Sequence, residues 1–416
     1  MSSTQEKAGT DNSVPPATLN AQKASKGSAA AIAWLSFTTM FVIGTDTFLV
    51  APMLPTLSRS FDVSTSISGW MVSAYALGFA LFALVAGPLS DGRNRRSVLL
   101  LGFAGFTVAT ALCGVAPNFW TMILFRVLAG MSAALVTPQL WASIPVMVPA
   151  DAIVKTMGLA GAGMSISQVV GVPIGGWLAA SSWHVPFFAV AGLSVLVWLV
   201  LFRVFPSVPA ATSTGGFFSV YAGLFRSRTF TWYLVGYLAY QTGVFETISF
   251  IGSWLADDFG LGVTAIGAAM MALGVGMAIT SIFGSHLIKR LGEERTLAFA
   301  FVALILIYGA VPFAPNLATA ITGLALGSVV LGLNYPIFMA MLLSRTTAAR
   351  GTVSSLATTA LYVGTMIGGF VGGILLSSFD GFHGVSGFTV ACLVVAGLIF
   401  LGTGAFRPKE QEASAA

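Results

Sequence analysis

The chain runs to 416 residues, of which 56% are hydrophobic and only 8% charged, where a soluble domain carries about 25% charged residues. So little charge cannot cover a water-facing surface, and most of this surface must therefore meet lipid. The net charge of +5 does not point to nucleic acid, because the Lys and Arg residues flank apolar runs instead of forming one polar face.

Residues 1–28 are polar and carry Lys7, Lys23 and Lys26; they read as a disordered tail. The apolar run that follows is of full membrane length, which argues against a cleaved signal peptide. A membrane helix needs roughly 20 mostly apolar residues. Twelve such stretches follow in order: 29–54, 67–90, 97–116, 119–142, 153–180 and 184–205, then 229–255, 263–288, 295–314, 317–343, 351–378 and 384–406. The runs are continuously apolar and much longer than barrel strands, so helices are expected. Between the sixth and seventh, residues 206–228 hold Pro206, Pro209, Gly215 and Gly216 and read as a linker. Residues 407–416 form a second tail. Cys113 and Cys392 fall in different apolar segments and give neither a disulfide framework nor a metal spacing.

The chain also repeats itself. Ala116-Pro117-Asn118 recurs as Ala314-Pro315-Asn316, 198 residues later. The same offset takes Trp34 to Trp232, Phe61 to Phe259, Gly171 to Gly369 and Gly175 to Gly373. One constant offset across most of a half predicts two six-helix halves in tandem, hence an all-α membrane protein of two pseudo-symmetric bundles, 29–205 and 229–406.

Three ionisable residues lie deep in spans: Asp46 in the first, Arg126 in the fourth and Glu246 in the seventh. Each is costly there and needs a partner, a cavity or a changed protonation state. Low-dielectric surroundings disfavour a charged carboxylate, which suits a group that must load and release a proton. The offset takes Asp46 to position 244, within one helical turn of Glu246, so the two acids stand at nearly symmetric depths. Both are candidate proton sites, with Arg126 an orienting partner; a buried Asp46–Arg126 salt bridge with no further role is the plain alternative. Tyr75, Gln139, Gln168, Gln241, Asn334 and Tyr335 are candidate substrate contacts, since an unpartnered polar group in lipid is expensive. Helix–helix hydrogen bonding would explain each of them equally well. His184, His286 and His383 are scattered, and no metal site is expected. No phosphate loop or soluble nucleotide-binding segment is present, which argues against an ATP-driven pump. The lack of clustered nucleophiles, bases or metal ligands argues against an enzyme, and no cofactor is expected.

Four stretches carry a family resemblance. Gly87-Pro88-Leu89-Ser90-Asp91-Gly92-Arg93-Asn94-Arg95-Arg96, between the second and third spans, resembles the G-x-x-x-D-R-x-G-R-R loop of major facilitator transporters. Gly stands here in place of the family's Arg at position 92, and Asn in place of its Gly at 94. Arg126 with Gly130 is similar to a second family motif. Gly171, Pro173, Gly175 and Gly176 resemble the antiporter motif in its G-x-P-x-G-G form, and Asp46 followed by Pro55 resembles the first-span pattern of drug–proton antiporters. The resemblance covers about residues 29–406. It implies alternating access with the substrate site between the halves. It also implies a cytoplasmic latch at Gly87, Asp91, Arg93, Arg95 and Arg96, and a bend at Pro173 that influences exchange. The implied activity is proton-coupled export of a small organic molecule by a monomer in the plasma (inner) membrane. The arabinose-efflux branch, a sugar or metabolite exporter, shares the G-x-P-x-G-G form. An uptake symporter or uncoupled facilitator is a further alternative.

With both termini inside, 17 of the 19 Lys and Arg residues fall on the cytoplasmic side, Arg59 lies outside and Arg126 within a span. Reporter fusions at residues 10 and 410 should accordingly give cytoplasmic-type signals, and one at residue 62 an external-type signal. A cytoplasmic-type signal at residue 62 would refute the orientation.

Overall fold

The computed structural model describes residues 26–90, 93–207, 224–344 and 350–406. Among them are twelve long helices, which we number in chain order. The first six are α1 (Lys26–Ser60), α2 (Trp70–Ser90), α3 (Arg95–Cys113), α4 (Phe119–Met147), α5 and α6 (His184–Val204). In α5, the α-helical segments Ala150–Ile166 and Val172–Ala179 are joined by one π-helical turn, Ser167–Gly171. The last six are α7 (Arg228–Phe259), α8 (Val263–Leu291), α9 (Glu293–Ala310), α10 (Leu317–Ser344), α11 (Arg350–Ser378) and α12 (His383–Gly402).

Ten of the twelve are long and apolar enough to cross a membrane, which makes this a multi-pass membrane protein. The exceptions are α7, which has a physical explanation, and α8, some of whose side chains lie outside the described residues. In α8 the apolar stretch among the described residues is Val263–Met277, and the apolar sequence itself continues beyond it. Helix α7 carries Glu246, Asp257 and Asp258 and buries Thr242, Thr247, Ser249 and Ser253. A helix enclosed by its neighbours does not need the lipid-facing hydropathy of a peripheral one. The sequence reading also differs at several boundaries. Helix α1 is longer at both ends than 29–54, and α4 runs on past residue 142. A short helix, Thr65–Ser68, precedes α2. The fifth span, expected to be continuous, is broken by the π turn, which ends two residues before Pro173.

The repeat is visible in local chemistry. Asn118 caps α4 by accepting from the Thr121 backbone N–H at 3.0 Å, and Asn316 accepts from the Thr319 N–H at 3.0 Å at the start of α10. These caps satisfy otherwise orphaned amide donors. The packing repeats as well. Helix α1 packs on α5 and α6 as α7 packs on α11 and α12; α4 packs on α2 and α3 as α10 packs on α8 and α9.

Between the halves, α2 packs on α11, α5 on α8 and α1 on α7. The closest of these contacts gather where α1 ends and α2 begins. A Cβ on Gly69 would stand 2.0 Å from the Gly369 carbonyl oxygen, and one on Gly373 would stand 2.6 Å from that of Ser66. The Ser73 hydroxyl donates across the same seam to the Met366 carbonyl at 2.9 Å. Nearer the middle, Phe79 stacks on Tyr362 with centroids 3.7 Å apart. Small residues allow this closeness, as they do generally where membrane helices associate.

Within the first half, α2 and α4 meet at Gly130, where a Cβ would lie 2.0 Å from the Tyr75 carbonyl oxygen. Gly130→Ala should therefore force the backbones apart and cost about 1–3 kcal/mol. Gly192→Ala, where a Cβ meets nothing within 4 Å, should be neutral or stabilise by up to about 1 kcal/mol. Thermal unfolding of the detergent-purified variants checks this, and equal melting temperatures for the two would refute it.

Candidate functional site

In the first half, Asp46 on α1 and Arg126 on α4 meet at 2.9 Å between Oδ2 and Nη1, both side chains fully buried. The arginine also donates to the Asp46 carbonyl and, through Nε, to the Met71 carbonyl, each at 3.3 Å. Its charge lies 4.5 Å from the centre of the Tyr75 ring, a favourable cation–π placement. Thr110 on α3 donates to the other Asp46 oxygen at 3.4 Å. Asp46 thus has a cation and a hydroxyl, while Arg126 Nη2 is buried without a hydrogen-bond partner, so hydrogen bonding offsets the pair's desolvation only in part.

The second half holds a different arrangement at nearly the same depth. Glu246 is fully buried, and among the described residues no cation lies within ion-pairing distance of it. Its Oε2 stands 2.8 Å from the Thr389 hydroxyl of α12; its Oε1 is buried without a hydrogen-bond partner. The Thr389 hydroxyl also lies 2.9 Å from the Gly243 carbonyl oxygen and 2.7 Å from the Thr247 hydroxyl. From α11, Gly372 and Gly368 close the site, with Cβ positions that would fall 2.7 Å from Glu246 Cγ and 2.8 Å from its backbone nitrogen. The repeat explains the difference. The offset of 198 takes Arg126 to Leu324, also buried, so the cation of the first half has an aliphatic counterpart in the second. It takes Ala191 to Thr389, so the hydroxyl beside Glu246 has no equivalent in the first.

A narrow cavity lies between the halves. Its walls include Phe48 from α1, Gln168 from α5, Ile248 from α7, Met270 and Met277 from α8, and Ser328 from α10. Asp46 and Glu246 are not among its lining residues. They stand two positions before Phe48 and Ile248, and two positions on a helix is about 200° around the axis. Each of α1 and α7 therefore carries its acid on the face toward its own half and a cavity wall on the opposite face.

The candidate ligand residues separate on this geometry. Gln168 lines the cavity from the π turn of α5. Tyr75 accepts from Thr47 at 3.1 Å; Gln241 donates to the Tyr237 hydroxyl at 3.2 Å, and Asn334 to that of Tyr240 at 2.9 Å. Gln139 is buried on α4. The side chain of Tyr335 and residue Asp91 lie outside the described residues, as do the surroundings of Gly87.

The remaining motif residues also have definite places. Arg96 donates to the Phe202 carbonyl of α6 and lies over that ring, so it ties α3 to α6 within one half. Arg95 is half-buried at the start of α3, and Arg93 is exposed. Gly171 and Gly175 pack against Thr45 and Leu49 of α1, whereas Pro173 and Gly176 approach Gly267 of α8 in the other half. Thr389, Thr110, Ser328 and the cavity methionines escaped the sequence reading. A threonine or methionine in an apolar run carries no signal until its neighbours are known.

The chain belongs to the Major Facilitator Superfamily, whose sequence profile matches residues 36–252 and 234–416; it is a transporter, not an enzyme. It is 46% identical over 365 residues to the uncharacterized MFS-type transporter YceJ of Bacillus subtilis (strain 168), covering 87% of this chain and 94% of that one. It is 24% identical to the multidrug transporter protein MdtP of the same organism, over 61% of this chain and 57% of the other. Among solved structures, a bacterial homologue of the human lysosomal transporter Spinster, inward-facing and unoccupied, superposes with a TM-score of 0.75. That match has 17% identity and covers 92% of this chain and 98% of that one.

Removing one member of the Asp46–Arg126 pair should strand a buried charge. Asp46→Leu alone should lose about 3–5 kcal/mol, and Asp46→Leu with Arg126→Met should recover most of it. Melting temperatures of the single and double variants decide this; a double variant less stable than the single one would contradict it.

Proposed function

We propose that this chain is a proton-coupled antiporter that exports a small, largely apolar organic molecule by alternating access of its two halves. The observation that carries the reading is a pair of fully buried acids, Asp46 and Glu246, each on a helix whose opposite face borders the cavity between the halves. Intramembrane acids are costly and mark ion or substrate pathways. A proton arriving from outside neutralises an acid and favours return to the inward-facing state. Its release inside resets α1 or α7 and so reshapes the cavity wall on the far side of the same helix. Coupling then runs through helix position and needs no direct competition between proton and cargo. An inward proton supplies about 2.3 kcal/mol per 100 mV of potential, before any pH gradient.

The cavity walls favour an apolar cargo. Phe48, Ile248, Met270 and Met277 offer dispersion contacts, and methionine adapts to varied shapes; Gln168 and Ser328 supply the polar contacts. A sugar, with hydroxyls on every side, would demand more amides. Export has additional support in the multidrug name of the relative MdtP. With the termini in the cytoplasm, the tight seam at Gly69, Gly369 and Gly373 lies on the outer side, which supports an inward-facing reading. We propose a single chain as the working unit, with no cofactor and no nucleic acid.

Everted vesicles energised by respiration, probed with a panel of neutral and cationic lipophilic dyes, test this. The wild type should accumulate one or more dyes and dissipate the pH gradient as it does so. Glu246→Gln or Asp46→Asn should reduce proton-driven accumulation at least tenfold. Normal transport by both single variants would rule the mechanism out.

A further inference from the structure

The Thr389 hydroxyl has one hydrogen to give and two lone pairs with which to accept. Three oxygens surround it at 2.7–2.9 Å: the Thr247 hydroxyl, Glu246 Oε2 and the Gly243 carbonyl. The carbonyl can only accept. If Glu246 were ionised, its carboxylate could also only accept, and one hydrogen would face two acceptors. One close oxygen–oxygen contact would then have no hydrogen in it, inside a fully buried site. If Glu246 is the neutral acid, every hydrogen has a place. Oε2–H donates to Thr389, Thr389 donates to the Gly243 carbonyl, and Thr247 donates to the second lone pair of Thr389. The other Glu246 oxygen, Oε1, is buried without a partner. That is a heavy cost for a carboxylate and a smaller one for the carbonyl oxygen of an acid.

We propose that Thr389 is a positioning residue that reads the protonation state of Glu246 and passes it from α7 to α12. In the closely packed state it holds the neutral acid and bonds to Gly243. When the acid proton leaves to solvent, the Thr389 hydroxyl turns from the Gly243 carbonyl and donates to the new carboxylate. No other hydrogen moves. The Gly243 carbonyl keeps its helical partner, the backbone N–H of Thr247 four residues on. Deprotonation therefore removes the Thr389–Gly243 bond and reverses the Glu246–Thr389 bond, which strengthens, because a hydrogen bond to an ionised acceptor is about twice as strong as a neutral one. Around Glu246, α12 also carries the titratable thiol of Cys392, whose Cβ lies beside Gly243. Helix α11 brings the backbone of Gly368 and Gly372 close to Glu246. This inference rests on the reading of Glu246 as a proton site, but its test needs no transported compound.

Infrared difference spectra of the purified protein in liposomes, recorded as pH is stepped, follow the carbonyl band of a neutral carboxylic acid. Loss of the band in Glu246→Gln assigns it. The proposal expects that Thr389→Val, which keeps the shape but has no hydroxyl to offer the carboxylate, retains the acid band to higher pH by about one unit or more. Thr389→Ser should restore the wild-type titration. A band that titrates identically in wild type and Thr389→Val overturns the proposal, as does failure of Thr389→Ser to restore it in a variant that melts like wild type. Unaltered dye transport by Glu246→Gln alongside a band that follows Thr389 would count against the antiport reading and leave this inference standing.

Discussion

An ionised side chain in an apolar bundle costs several kcal/mol unless something nearby repays it. This chain meets that constraint twice, at mirrored depths, with opposite solutions. In the first half Arg126 repays Asp46 directly, helped by Thr110, the Met71 carbonyl and the face of Tyr75. In the second half the corresponding arginine is Leu324, and Glu246 has only a hydroxyl. The pseudo-symmetric frame equates the positions, and the side chains make them chemically unequal. Asp46 must give up a cation contact to bind a proton and Glu246 need not, so the two acids proposed as proton sites differ in what protonation costs them. That inequality is the physical basis for assigning the two halves different parts in a transport cycle.

The rest of the fold serves to keep these sites dry and the helices that carry them movable. Glycine faces let α11 close over Glu246 and let α2 and α11 meet backbone to backbone at the sealed end. Pro173 and Gly176 place α5 directly against α8 across the halves. The π turn at Ser167–Gly171 lies immediately before them and presents Gln168 to the cavity. One extra residue in a helical turn is a feature often found at functional sites. Here it stands where the seam between the halves and the cavity wall adjoin. Because α1 and α7 each carry an acid on one face and a cavity wall on the other, a small rotation of either helix changes both environments at once.

Much of this was legible in the amino-acid order. Hydropathy marks the helices because runs this long and continuously apolar suit helices and not barrel strands, and the Ala-Pro-Asn repeat marks the halves because both copies cap a helix in the same way. The acids stand out because charge is rare in such runs. Other features were hidden for equally physical reasons. Helix α7 is less apolar than most of the other spans because it carries Glu246 and buries Thr242, Thr247, Ser249 and Ser253 within the protein. Gln241 and Asn334 stand out in one dimension, but only the fold shows that their amide nitrogens donate to Tyr237 and Tyr240 and that Asn334 Oδ1 is buried without a partner. Thr389 is 143 residues from Glu246, and only the packing of α12 on α7 brings them together. The π turn depends on how α5 fits between α1 and α8, which no local pattern encodes.

The central claim, that burial without a countercharge makes Glu246 exchange a proton for cargo, is most directly tested by counting protons. A dye that the vesicle panel identifies as cargo is added to purified protein in weakly buffered detergent, and a pH indicator records what is released. The account predicts proton release on binding by the wild type and none by Glu246→Gln. Equal release from Glu246→Gln and wild type would contradict it.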